Sequence, residues 1–107
     1  MKHIIAVIRP EKLDDVRTAL EKVGYAGLMI SEIEGHGKQK GIVQQWRGEK
    51  YKVDLIPKIK LEVVTQDAEA PLIIKTIIEY ARTGEIGDGK IFVSTIDEVI
   101  RIRTGET

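Results

Sequence analysis

Residues 83–90 read Thr-Gly-Glu-Ile-Gly-Asp-Gly-Lys and run directly into the apolar Ile91-Phe92-Val93. Three glycines beside a lysine let backbone N–H groups converge on an anion with no Cβ in the way, and Lys90 supplies a compact positive charge. The stretch is a candidate phosphate-binding loop. Arg101 and Arg103 follow two residues apart in Val99-Ile100-Arg101-Ile102-Arg103. On a strand, that spacing would project both guanidinium groups from one face about 7 Å apart, suited to neighbouring phosphates.

Gly84 to Lys90 also satisfies the spelling Gly-x-x-x-x-Gly-Lys, but Ile91 stands where an NTPase P-loop needs Ser or Thr for magnesium. A helical pattern precedes this loop and a strand follows it, the reverse of the order in which a helix N-terminus lends its dipole to phosphates. Only the anion-binding physics of that motif carries over.

The elements that must position these groups show in the periodicity. His3 to Arg9 is apolar on both sides of a strand alternation, which predicts a strand buried on both faces. Pro10 suits the start of a helix in which Leu13, Val16, Leu20 and Val23 recur at three- and four-residue steps, closed by Gly24. Residues 27–34 and 53–64 alternate as strands. Asp67 and Pro71 open a second helix carrying Leu72, Ile73, Ile77, Ile78 and Ala81. Residues 90–95 and 99–103 read as the last strands.

This order is the split βαβ pattern of an α+β ferredoxin-like sandwich, βαββαβ, with two helices on one face of an antiparallel sheet. The other face would have no helical cover while keeping apolar residues, so its burial against further copies in a closed cyclic oligomer is expected. Lys58, Lys60 and Glu62 would bring charge near those boundaries. The chain of 107 residues is expected to form one domain, 1–107.

Seventeen basic and seventeen acidic side chains cancel, so no whole-molecule field exists to hold nucleic acid and any anion site must be local. The chain has no cysteine, which excludes disulfides and thiolate zinc sites and fits a reducing compartment. Apolar runs are short and the N-terminus lacks a signal-like stretch, so neither membrane insertion nor export is expected, leaving the cytoplasm. His3 and His36 read as a strand-end and a loop-edge histidine, not a zinc pair.

Residues 37–52 form a connection far longer than a hairpin needs. It holds the one tryptophan, Trp46, with Arg47, Tyr51 and several lysines, a composition suited to an arm inserted into a protein partner. A plainer alternative is an insertion whose Trp46 folds back on its own domain.

Taken together, the chain resembles the PII family of nitrogen-regulatory signal proteins, the GlnB and GlnK type, over essentially its whole length. The likeness is carried by Arg9-Pro10-Glu11-Lys12-Leu13, Gly35-x-Gly37-Lys38-Gln39-Lys40-Gly41, Arg47-Gly48-x-x-Tyr51, Val53-Asp54-x-x-Pro57-Lys58, residues 83–93, and Arg101-Ile102-Arg103-Thr104-Gly105-Glu106. The resemblance implies a homotrimer that binds ATP or ADP at three subunit clefts, reads 2-oxoglutarate, and is not an enzyme.

It assigns nucleotide binding to Met29, Gly37, Lys38, Gln39, Val64, Gly87, Asp88, Gly89, Lys90, Arg101, Ile102 and Arg103, with Val64 meeting adenine through its backbone and the arginines coming from a neighbouring subunit. It further implies that Gln39 completes the shell of a Mg2+ ion, and that Lys58 pairs with a carboxylate of 2-oxoglutarate chelated to the metal through its keto acid end. The segment 37–52 would regulate an ammonium transporter or a nitrogen-assimilation enzyme or kinase through Trp46, Arg47 and Tyr51. Tyr51 is uridylylated in some members of the family.

Met29, Lys38 and Trp46 depart from the residues common there, a threonine, an arginine and a tyrosine respectively. A small acyl-phosphate hydrolase of similar fold would instead place its phosphate loop after the first strand and use an asparagine to orient water. The chain has no asparagine. A scaffold without nucleotide would leave Lys90, Arg101 and Arg103 as neighbouring cations without an anion.

Overall fold

The computed structural model describes residues 1–25, 27–36, 43–46, 49–52 and 55–107. Strand β1 (Lys2–Ile8) is followed by a 3-10 turn at Pro10–Lys12 and helix α1 (Leu13–Lys22). Strands β2 (Met29–His36), β3 (Val43–Trp46), β4 (Glu49–Lys52) and β5 (Leu55–Thr65) come next. A second 3-10 turn at Asp67–Glu69 leads into helix α2 (Ala70–Ala81), and β6 (Lys90–Thr95) ends the regular elements.

The main sheet has the order β2-β5-β1-β6, antiparallel throughout, the arrangement expected of a ferredoxin-like α+β fold. Alternation on β1 directs Ile4, Ala6 and Ile8 inward. Opposite them across the ladder stand Val63, Leu61 and Ile59 of β5. Both helices cover this side: Val16, Ala19 and Leu20 from α1, and Ala70, Ile73, Ile77 and Ala81 from α2, are buried against it. The three- and four-residue spacing in the sequence therefore marks the contacting stripes correctly, except that Val23, Leu72 and Ile78 lie on the outer margins and stay exposed.

The opposite face has no helix. It carries Ile5 and Val7 of β1, Lys58, Lys60, Glu62 and Val64 of β5, Met29 and Ile33 of β2, and Lys90 and Phe92 of β6, all set by register. Ile5 and Val7 are half-buried by their strand neighbours, so β1 is buried fully on one side alone. Met29 on one edge strand and Phe92 on the other are 51% and 54% exposed, in one row across the sheet with the half-buried Ile5, so this face keeps apolar surface at both edges.

Two features depart from the sequence reading. Within the long connection, β3 and β4 form a hairpin in which Val43 pairs with Lys52 and Trp46 with Glu49. Four-residue strands are too short to announce themselves by alternation. The expected strand over residues 99–103 does not form: Ile102–Thr104 is a turn, with Gly105 N–H donating to the Arg101 carbonyl at 2.7 Å and Arg101 N–H to the Glu106 carbonyl at 2.9 Å. A strand needs a neighbour's edge, and this segment instead closes on itself through Gly105 at φ +71°. The proposed same-face spacing of Arg101 and Arg103 on a strand is thereby corrected.

Candidate functional site

The loop between α2 and β6 is tied together by Asp88. Its Oδ2 accepts the backbone N–H groups of Thr83 (2.9 Å) and Gly84 (2.8 Å), while its Oδ1 accepts Thr83 Oγ1–H and, at 3.1 Å, Arg9 Nε–H. These bonds, the Thr83 hydroxyl first, hold the Asp88 carboxyl well below the usual carboxylate range despite its partial burial. The resemblance groups Asp88 with the phosphate-holding residues; its side chain is engaged inside the loop, so its backbone is what remains for an anion.

Glycine is required here by geometry. At Gly89 (φ +99°) a Cβ would stand 1.7 Å from the Val7 carbonyl oxygen, so the loop lies flush on β1. Gly87 has φ +102°, and a Cβ there would crowd the Arg9 guanidinium at 3.3 Å. Arg9 reaches the loop a second time through its Nη2, which donates to the Ile86 carbonyl at 2.8 Å.

Lys58 enters from β5 and donates its Nζ–H to the Gly87 carbonyl. Partial burial pushes its ammonium pKa down, the Arg9 charge adds to this, and Glu11 and Asp88 oppose it. Lys58, Lys90 and the loop residues 85–89, Glu85 among them, thus line one cleft of about 520 Å3 with Val7, Gly35, Ile56 and Phe92. The cleft opens at the edge of the helix-free face. A backbone of left-handed glycines flanked by two lysines suits a polyanion, with charge-assisted bonds to its oxygens.

The remaining expected residues lie elsewhere. Met29 opposes Glu62, and Val64 opposes His3, at the far end of the same face. Lys58 and Val64 are six positions apart along β5, about 20 Å at strand rise. The chain leaves β6 at that far end too, where Ile96 N–H donates to the Met1 carbonyl at 3.0 Å. Among the described residues, no ion pair or hydrogen bond joins the side chains of Arg101 or Arg103 to the glycine loop, and Ile102 is fully exposed.

Gly37, Lys38, Gln39 and Arg47 lie outside the described residues, while Trp46 and Tyr51 belong to β3 and β4. No group of three or more His, Asp or Glu side chains among the described residues could hold a metal ion. Sequence reasoning gives Arg9 no role in the site and counts Thr83 only as the first residue of the candidate loop. The one available signal was an arginine at the end of a strand immediately before Pro10.

The family model described as "Nitrogen regulatory protein P-II" matches residues 1–106. The chain belongs to the nitrogen regulatory protein P-II family. Curated relatives agree along the full length. Nitrogen regulatory protein P-II 2 of Methanothermobacter thermautotrophicus is 51% identical over 107 residues, covering 100% of this chain and 93% of that protein. Nitrogen regulatory protein P-II of Rhizobium meliloti is 54% identical over 107 residues, covering 100% and 96%. The P-II protein of Synechocystis sp. is 47% identical over 106 residues, covering 99% and 95%. No described helix is long and apolar enough to cross a membrane.

Proposed function

We propose that this P-II protein is a cytoplasmic nitrogen-status sensor that binds ATP or ADP, with Mg2+, in the seams of a homotrimer and responds to 2-oxoglutarate, without being an enzyme. The observation that supports this most is the separation of the expected ligand residues into two groups at opposite ends of one sheet face. The phosphate group is Gly87–Lys90 with Lys58; the base group is Met29 and Val64, with Arg101 and Arg103 beyond β6. At about 20 Å along a strand, one nucleotide does not bridge them within a single chain. A neighbouring copy that covers the helix-free face would supply the missing half and bury Met29 and Phe92 at the same time.

In this reading the loop backbone and Lys90 hold phosphate oxygens, and Arg101 and Arg103 of the next copy neutralise the outer phosphates. Lys58 offers its ammonium to a carboxylate of 2-oxoglutarate. Gln39 would hold magnesium, whose charge would help neutralise the phosphate oxygens and the keto acid. Because Lys58 also donates to Gly87, an acid that takes up Lys58 acts directly on the phosphate loop. Occupancy then shifts the population of states of the segment 37–52, which engages an ammonium transporter or a nitrogen-assimilation enzyme or kinase through Trp46, Arg47 and Tyr51.

The test is subunit complementation. Lys90→Ala and Arg103→Ala proteins are each expected to bind ATP weakly. Refolded as a mixture, they form seams in which an intact Lys90 meets an intact Arg103, and calorimetry should recover a fraction of wild-type sites. A mixture no better than its components would show that the two residues do not serve one site across a seam.

A further inference from the structure

The glycine loop has a second side. Behind it, on the helix-covered face of the sheet, a cavity of about 250 Å3 lies between the last turn of α2 and the start of β6. Ile8, Ile77 and Ala81 are buried in its wall, Ile78 and Ile91 continue it towards the surface, and Arg82 stands among the lining residues just past the end of α2. Register separates this cavity from the anion cleft. Ile91 opposes Ala6 on the inward side of β1, whereas Lys90 and Phe92 oppose Val7 and Ile5 on the helix-free side. Val7, Asp88, Gly89 and Lys90 line both hollows, so the main chain at the end of the loop is a wall that they share.

The lining sets the chemistry of an occupant. Aliphatic walls hold water poorly, and a short chain of methylenes laid against them would release it. The volume falls below the roughly 300–1,000 Å3 of pockets that take drug-sized ligands, so the chain has to be short. Asp88, the one carboxylate in the lining, already accepts from Thr83, Gly84 and Arg9. Arg82 is exposed and takes part in no ion pair among the described residues. The charge left to be matched at this cavity is thus a guanidinium, whose forked N–H groups complement a carboxylate.

We propose that the cavity is a second ligand site, separate from the anion cleft, for a short-chain aliphatic monocarboxylate the size of hexanoate or octanoate. The tail lies among Ile77, Ala81 and Ile91, and the carboxylate stays at the mouth on Arg82, where water still reaches it and desolvation is small. A tail packed behind Gly89 would bear on the same peptide groups that face the anion cleft, so the site can couple to that cleft through the wall between them. The proposal does not depend on the nucleotide reading.

The test titrates the protein, without nucleotide, with hexanoate, octanoate and uncharged 1-octanol, following backbone amide shifts by NMR. Octanoate should give saturable shifts at Ile77, Ala81, Gly89 and Ile91 and bind on the order of tenfold more tightly than hexanoate. Arg82→Gln should weaken octanoate severalfold and leave octanol unchanged. Ala81→Leu, which fills the cavity, should abolish both; should that variant not fold, Ile78→Glu, which places a like charge at the exposed rim, should weaken octanoate more than octanol. Shifts that fail to saturate, or that fall outside these residues, overturn the site. Octanoate binding that ignores Arg82→Gln overturns the ligand class.

Discussion

Arg9 and Asp88, 79 positions apart in the chain, meet as a partly buried ion pair with Arg9 Nε 3.1 Å from Asp88 Oδ1. The pair joins the end of β1 to the loop before β6, so the strand that organises the sheet core also fixes the shape of the candidate anion cradle. Arg9 aligns the loop from one side and Lys58, on Gly87, from the other.

Replacing Asp88 by alanine removes acceptors for Thr83 N–H, Gly84 N–H and Arg9 together. With the site partly open to water, the expected loss of stability is about 1–2 kcal/mol by urea unfolding. Nucleotide affinity should fall with it, because the loop backbone loses its fixed shape.

The same carboxylate has a pH signature. Its folded-state pKa is depressed, chiefly by the Thr83 hydroxyl bond, so the unfolded chain takes up a proton before the native one does. The stabilisation is therefore fully present above the ordinary aspartate value of about 4 and is lost progressively as pH falls below it. Asp88→Asn should flatten that acid limb of the stability curve; a limb of unchanged steepness would remove Asp88 as its source.

Two glycines of the loop should respond differently to alanine. At Gly84 (φ +88°) a Cβ meets nothing within 4 Å, so the expected cost is the left-handed backbone alone, about 1–2 kcal/mol. At Gly89 the same backbone penalty is joined by a collision with the Val7 carbonyl, which no rotamer relieves. Gly89→Ala should be clearly the more destabilising of the two in denaturant titration, and it should also displace β6 from β1, seen as faster amide exchange at Lys90 and Ile91.

Lys58→Met should separate the two ligands. Calorimetry is expected to give ADP affinity within about threefold of wild type, while the strengthening of ATP binding by 2-oxoglutarate disappears through loss of the charge-assisted bond. Retention of the 2-oxoglutarate effect would move that acid away from Lys58.

Much of this architecture was legible in the chain because burial imposes periodicity. Ile73 and Ile77 recur at helical spacing since they fill the space over β1 and β5, and Ile4, Ala6 and Ile8 alternate because one strand face is sealed. Ile73→Ala should cost about 2–5 kcal/mol for that reason. Arg101 and Arg103 misled because alternation records which sides of a segment differ in polarity, not whether a ladder partner exists. The hairpin of Val43–Trp46 with Glu49–Lys52 left no periodic trace in so few residues. The Arg9–Asp88 contact was invisible for a third reason: a pairing over so long a stretch of chain depends on topology, and both residues have ordinary local explanations.

Gly89 pressed onto the Val7 carbonyl has a consequence for how such a protein can diverge. A position that admits no side chain cannot be retuned by point substitution, so any grip exerted there would be written in main-chain shape and be indifferent to drift in side-chain chemistry. On the proposed reading, changes in ligand preference would have to accumulate at the flank, at Lys90, because Lys58 itself holds the Gly87 carbonyl.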